Sequence, residues 1–87
     1  MKNIILAFAL VLLQTSWAAA SVFLEDKTWI ELQDEVVAGS TIAIIPIGGT
    51  EQNGPAMALG KHNARVKFLA EKIAEKLGHT IVAPTLP

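Results

Sequence analysis

The sequence has no cysteine and no tyrosine, and its aromatic residues are two tryptophans and three phenylalanines. Without cysteine there can be no disulfide framework, no thiol nucleophile and no thioether-linked lipid at the amino terminus. A charge excess of either sign is lacking too. Seven Lys and Arg stand against eight Asp and Glu, a net charge of −1 in 87 residues. No basic patch for nucleic acid or for an anionic membrane surface follows from that balance. There is no internal repeat and no low-complexity segment.

What is present begins with a long apolar run. "MKN" is a short positive segment, "IILAFALVLL" is continuously apolar, and "QTSWAAA" ends in small residues. This is the pattern of a signal peptide over residues 1–20, cleaved after Ala20. A spanning helix needs roughly 20 apolar residues, and Gln14, Thr15 and Ser16 interrupt this run early. The reading is therefore export, periplasmic or secreted, without stable membrane association after cleavage. Removing Lys2 with the leader leaves six basic and eight acidic residues.

Residues 21–87 read as the beginning of an α/β domain. "SVFLED" is a short extended lead-in. "TWIELQDEVVAG" is a helix with Thr28 as N-cap, Glu31 completing a capping box and Gly39 as the stop. Trp29, Leu32, Val36 and Val37 share a face and are expected in the core. Residues 40–47, "STIAIIPI", form a near-continuous β-branched run, which predicts a strand buried on both faces of a parallel sheet. Pro46 should weaken pairing there. A second helix is expected from Asn63 to Leu77, with Val66, Leu69, Ala70, Ile73 and Leu77 inward, His62 or Asn63 as cap and Gly78 as stop. "TIVAP" is a second buried strand. Strand, loop, helix and strand make a βαβ unit. A domain of this size buries only about 60% of its unfolded surface, and this one ends on "APTLP", a strand running into a loop. A truncated reading frame is one expectation from that ending.

Between the first strand and the second helix lies "GGTEQNGPAMALGKHN", residues 48–63. Loops at the carboxyl ends of strands are where α/β proteins usually place their chemistry. Gly49 and Gly54 have P-loop spacing, but Pro55 and Ala56 stand where Lys and Ser or Thr belong, and G-x-G-x-x-G is absent. No G-x-S-x-G elbow is present, and no serine lies near either histidine. Glu51 offers a hard oxygen ligand and His62 a nitrogen ligand, with turns at Gly54-Pro55 and Gly60 able to bring them together. Asn53 offers only a neutral amide oxygen. From the residues alone the loop also reads as a solvated turn capping a helix.

The order of these segments resembles the amino-terminal part of the creatininase (creatinine amidohydrolase) family. The resemblance is carried by "GGTEQNGP" and "VAPTLP" within "VFLEDKTWIELQDEVVAGSTIAIIPIGGTEQNGPAMALG" and the helix ending "AEKIAEKLG". It implies a three-layer α/β/α fold on a mainly parallel sheet, a homo-oligomer (a hexamer) and hydrolysis of a cyclic amide or formamide with divalent metal, Zn or Mn. Position by position, Glu51 matches a metal-ligand Glu. Asn53 stands where a ligand His is expected, Ala56 where a second His lies near the substrate, and His62 where an Asp bridges two metals. The resemblance implies two metals, but a neutral imidazole offers one lone pair to one metal, so His62 in place of the bridging Asp leaves this sequence a mononuclear site on Glu51 and His62 as the alternative. Gln52 and Asn53 would orient water or a small amide substrate. The family's remaining His and Glu ligands come from beyond Pro87. His79 lies about 25 Å from His62 along the second helix and reads as a partner of that helix's carboxyl end. The alternative is a non-catalytic exported protein that uses the βαβ unit for binding or assembly.

Overall fold

A computed structural model describes residues 20–87. The leader reading of residues 1–20 lies, Ala20 apart, outside the described residues.

A one-turn 3-10 helix, Leu24–Asp26, leads into helix α1, Trp29–Val37. The capping box forms as the local sequence dictates. Thr28 Oγ1 accepts the Glu31 N–H at 3.2 Å, and Glu31 Oε1 accepts the Thr28 N–H at 3.3 Å. The other end closes with Gly39 at φ +113°. The Gly39 N–H returns to Val36 O at 3.1 Å and the Ser40 N–H to Glu35 O at 2.9 Å. That pair of bonds is a Schellman closure, which needs a left-handed residue and so favours glycine.

Strand β1, Ile42–Ile44, pairs in parallel with strand β2, Thr80–Val82, in the register Ile42–Thr80, Ala43–Ile81 and Ile44–Val82. Helix α2, Lys61–Leu77, connects them. On its other edge β2 meets the lead-in, where Phe23 bridges Val82 and the Val82 N–H donates to Val22 O at 2.8 Å. Thus β2 lies between two neighbours, and all three of its residues are buried. The mixed helix and parallel-strand arrangement is the expected α/β unit. Pro46 interrupts the β1 ladder, which resumes as a single bridge between Ile47 and Leu86. There the Leu86 N–H donates to Pro46 O at 2.9 Å and the Gly48 N–H to Leu86 O at 2.8 Å.

The core is smaller than the hydrophobic pattern suggests. Ala70 and Ala74 of α2 pack on Val82, with Val22, Phe23 and Ile44 partly buried around them. Two alanines one turn apart let the helix backbone approach the sheet closely. The inward row is therefore 70 and 74, while Leu69, Ile73 and Leu77 remain half exposed. On α1, Leu32 is partly buried, but Trp29 is 73% and Val37 83% exposed. Leu32 and Val36 line a shallow groove with Leu24, Ile42 and Ile81 without closing it. β1 also differs from expectation: Ile42 and Ala43 are exposed and only Ile44 is partly covered. Burial on both faces requires a layer on each side, and β1 has no such cover among the described residues.

One buried charge escaped the sequence reading. The Lys27 side chain is 4% exposed, and its ammonium pairs with Glu35 Oε1 at 2.9 Å and donates to the Ser21 carbonyl. This ties the lead-in to α1.

Candidate functional site

The loop of residues 48–60 leaves the carboxyl end of β1 and is pinned to the first turn of α2. Gly60, which carries no capping side chain, is the N-cap of that helix. His62 and Asn63, expected as caps, lie inside the first turn and reach back to the loop. Asn63 Oδ1 accepts the Gly49 N–H at 2.9 Å, and its Nδ2 donates to Thr50 Oγ1 at 3.1 Å. Gln52 Oε1 accepts the Gly54 N–H at 3.0 Å, closing a turn in which Gly54 adopts φ +83°. That bond commits the Gln52 carbonyl to the loop.

These turns bring three of the four expected site residues together. His62 Nε2 lies 3.1 Å from Glu51 Oε1 and 3.3 Å from Asn53 Nδ2. Gln52 points into its own turn instead. A fifth residue, not singled out from the sequence, completes the cluster: Arg65 Nη2 lies 3.2 Å from His62 Nδ1. Its signal was the i, i+3 spacing from His62, which stacks two side chains on one helix face. The Glu51 side chain is 67% exposed and that of His62 25%, so the cluster is a surface feature with a half-sunk imidazole. His79 stands apart at the far end of α2. It follows the Gly78 cap in a left-handed conformation, φ +51°, and is exposed.

The family model for creatinine amidohydrolase matches residues 25–87. The chain belongs to the creatininase family. Creatinine amidohydrolase of Pseudomonas putida is 32% identical over 66 residues, covering 76% of this chain and 25% of that protein. A crystal structure of creatinine amidohydrolase superposes with a TM-score of 0.71 at 31% identity, over 78% of this chain and 26% of that one. A mutant creatininase described as Zn-Zn type gives a TM-score of 0.70 at 31% identity, over 78% and 26%. Family members are amidohydrolases, and the α/β architecture agrees with these creatininase structures. The chain spans about a quarter of the length of the curated relative it matches.

The creatininase described as Zn-Zn type raises the question of whether these residues suit a zinc pair. Among the described residues no three His, Cys, Asp or Glu side chains are grouped so as to hold a metal ion. Glu51 and His62 supply two donors and Asn53 a neutral third. A tetrahedral Zn²⁺ takes at least three protein ligands, and a bridged pair needs a carboxylate with an oxygen for each ion. The described residues by themselves do not fit a zinc pair.

Proposed function

We propose that this chain is the amino-terminal part of an exported amide hydrolase that cleaves the C–N bond of a cyclic amide or formamide. Family membership over residues 25–87 supports the reaction class. The observation that carries the site is the convergence of Glu51, Asn53 and His62 within 3.3 Å at the carboxyl end of β1. In this reading Glu51 faces the reacting centre and is the residue here that would ligate Zn²⁺ or Mn²⁺, together with groups from outside residues 21–87. A divalent ion, were one held by Glu51 together with such groups, would polarise the amide carbonyl. The chain's own residues bind and orient. The Gln52 NH2 and the Asn53 amide offer donors to the substrate carbonyl, while Glu51 takes a proton from the attacking water as the C–O bond forms and returns it to the departing nitrogen as the C–N bond breaks. Residues 21–87 alone lack the remainder of such a site and are proposed to be inactive. A homo-oligomer, hexameric by family resemblance, belongs to the same proposal.

Hydrolysis of creatinine and of small formamides by the protein as made in its host tests this reading. Glu51→Gln should lower turnover at least about 100-fold. Undiminished turnover would sink it.

Export rests on the apolar leader pattern of residues 1–20. Ser21 Oγ donates to Asp26 Oδ2 at 2.8 Å and accepts the Phe23 N–H at 3.1 Å. These bonds and the Lys27 contact to the Ser21 carbonyl would all remain in a chain beginning at Ser21.

A second reading, a non-catalytic exported protein used for binding or assembly, is favoured by one specific feature. Asn53 and Ala56 occupy positions where the family resemblance calls for histidines. Negligible metal after purification without chelator, together with no amide hydrolysis, would favour it.

A further inference from the structure

Arginine makes an unusual neighbour for a histidine expected to ligate metal. A guanidinium has five N–H donors and no acceptor. With Arg65 Nη2 at 3.2 Å from His62 Nδ1, the only hydrogen bond open to that pair uses the Nδ1 lone pair. A neutral imidazole has one lone pair and one N–H, so the proton resides on Nε2. That nitrogen faces Glu51 Oε1 at 3.1 Å, an acceptor. Both ring nitrogens are thereby satisfied, and the chain Arg65, His62, Glu51 runs donor to acceptor throughout. The Asn53 amide sits 3.3 Å from the same Nε2. As placed it is the amide nitrogen that faces Nε2; the Nε2–H tautomer requires this amide turned about, so that its oxygen becomes a second acceptor.

Metal ligation by Nε2 demands the opposite arrangement. The lone pair must lie on Nε2 and the proton on Nδ1, and a metal-bound histidine ordinarily donates that second N–H to a carboxylate, carbonyl or water. At Nδ1 of His62 the neighbour is a donor.

We propose that Arg65 is a positioning residue that holds His62 as its Nε2–H tautomer, making His62 a hydrogen-bond donor to Glu51 and withholding it from metal ligation. The Glu51 carboxylate is then oriented from behind by an Arg–His pair. The inference concerns the same loop as the proposed hydrolase site, and its readouts do not depend on turnover.

The experiment is two-bond ¹H–¹⁵N spectroscopy on the protein as made in its host, labelled at histidine, with the His62→Gln spectrum assigning the signal against His79. The expected result is a protonated Nε2 and a bare Nδ1 at His62, with that bias lost in Arg65→Met. An Nδ1–H tautomer in the wild type overturns the proposal. Titration with Zn²⁺ alone gives the second readout. His62→Gln should bind Zn²⁺ as the wild type does, whereas a tenfold or greater weakening overturns the proposal. Arg65→Glu places an acceptor beside Nδ1 and should tighten Zn²⁺ binding about 10-fold or more, beyond Arg65→Met, which removes the charge without adding an acceptor. The gain should vanish in Arg65→Glu/His62→Gln. A gain in Arg65→Glu no larger than in Arg65→Met, or one that survives His62→Gln, counts against the mechanism.

Discussion

A methyl group placed on Gly48 would lie 2.1 Å from Asn63 Oδ1 and 2.9 Å from Asn63 Cα. The loop and the first turn of α2 are therefore in backbone contact at this point, and the absence of a side chain at 48 is what permits the Asn63 clamp on Gly49 and Thr50. The side-chain oxygen can rotate away from an added methyl, but the Cα cannot move without shifting the helix.

Gly48→Ala should accordingly destabilise the protein by about 1–3 kcal/mol and loosen the site loop. Urea denaturation measures the first effect and limited proteolysis between residues 48 and 60 the second. A neutral substitution would refute the contact.

Asn63→Ala removes the clamp without adding bulk. The Gly49 N–H and Thr50 hydroxyl lose their partner, at a cost of about 1–2 kcal/mol. Because Asn63 adjoins His62, the same variant should lower amide hydrolysis by displacing Glu51 relative to α2. Stability lost with turnover fully retained would show that the clamp serves folding alone.

Lys27 and Glu35 should respond asymmetrically. Glu35→Ala leaves an ammonium whose side chain is 4% exposed without its carboxylate, and about 2 kcal/mol should be lost. Lys27→Met leaves a carboxylate whose side chain is 30% exposed and that water can reach, and should cost less. Equal losses in denaturation experiments would mean that packing rather than charge dominates there.

Thr28→Ala should remove about 1 kcal/mol by opening the capping box, visible as a lower Tm. Thr28→Ser, which keeps the hydroxyl, should restore most of it.

Intact mass of the protein purified from its host tests export. An amino terminus at Ser21 is expected; a retained Met1 would contradict cleavage after Ala20.

Features set by near neighbours in the chain were legible in the sequence. Thr28 and Glu31 cap α1 because their spacing alone brings each side chain to the other's backbone N–H. Gly39 ends the helix because its φ of +113° costs a glycine little. The parallel pairing of β1 and β2 followed from β-branched runs separated by a helix, and Pro46 broke the ladder because it has no N–H to give. The approach of Glu51 to His62 was readable from the Gly54-Pro55 and Gly60 turns and from family resemblance.

Burial was legible only at β2 and Ala70, and the reason is physical. An apolar stripe records what a helix can cover, whereas burial depends on what is packed against it. The patterns of Trp29, Val37, Leu69 and Ile73 promised core positions, yet only Ala70 and Ala74 are sealed by β2. Side-chain roles diverged for a similar reason. Sequence named Glu51, Asn53 and His62 by the chemistry each type can perform, and local turns sufficed to gather them. The proposed placing of the His62 proton came only from three dimensions, because Arg65, one helical turn away, meets Nδ1 with a donor. Residue type and spacing determined which groups would meet; the packed arrangement decided how their protons are shared.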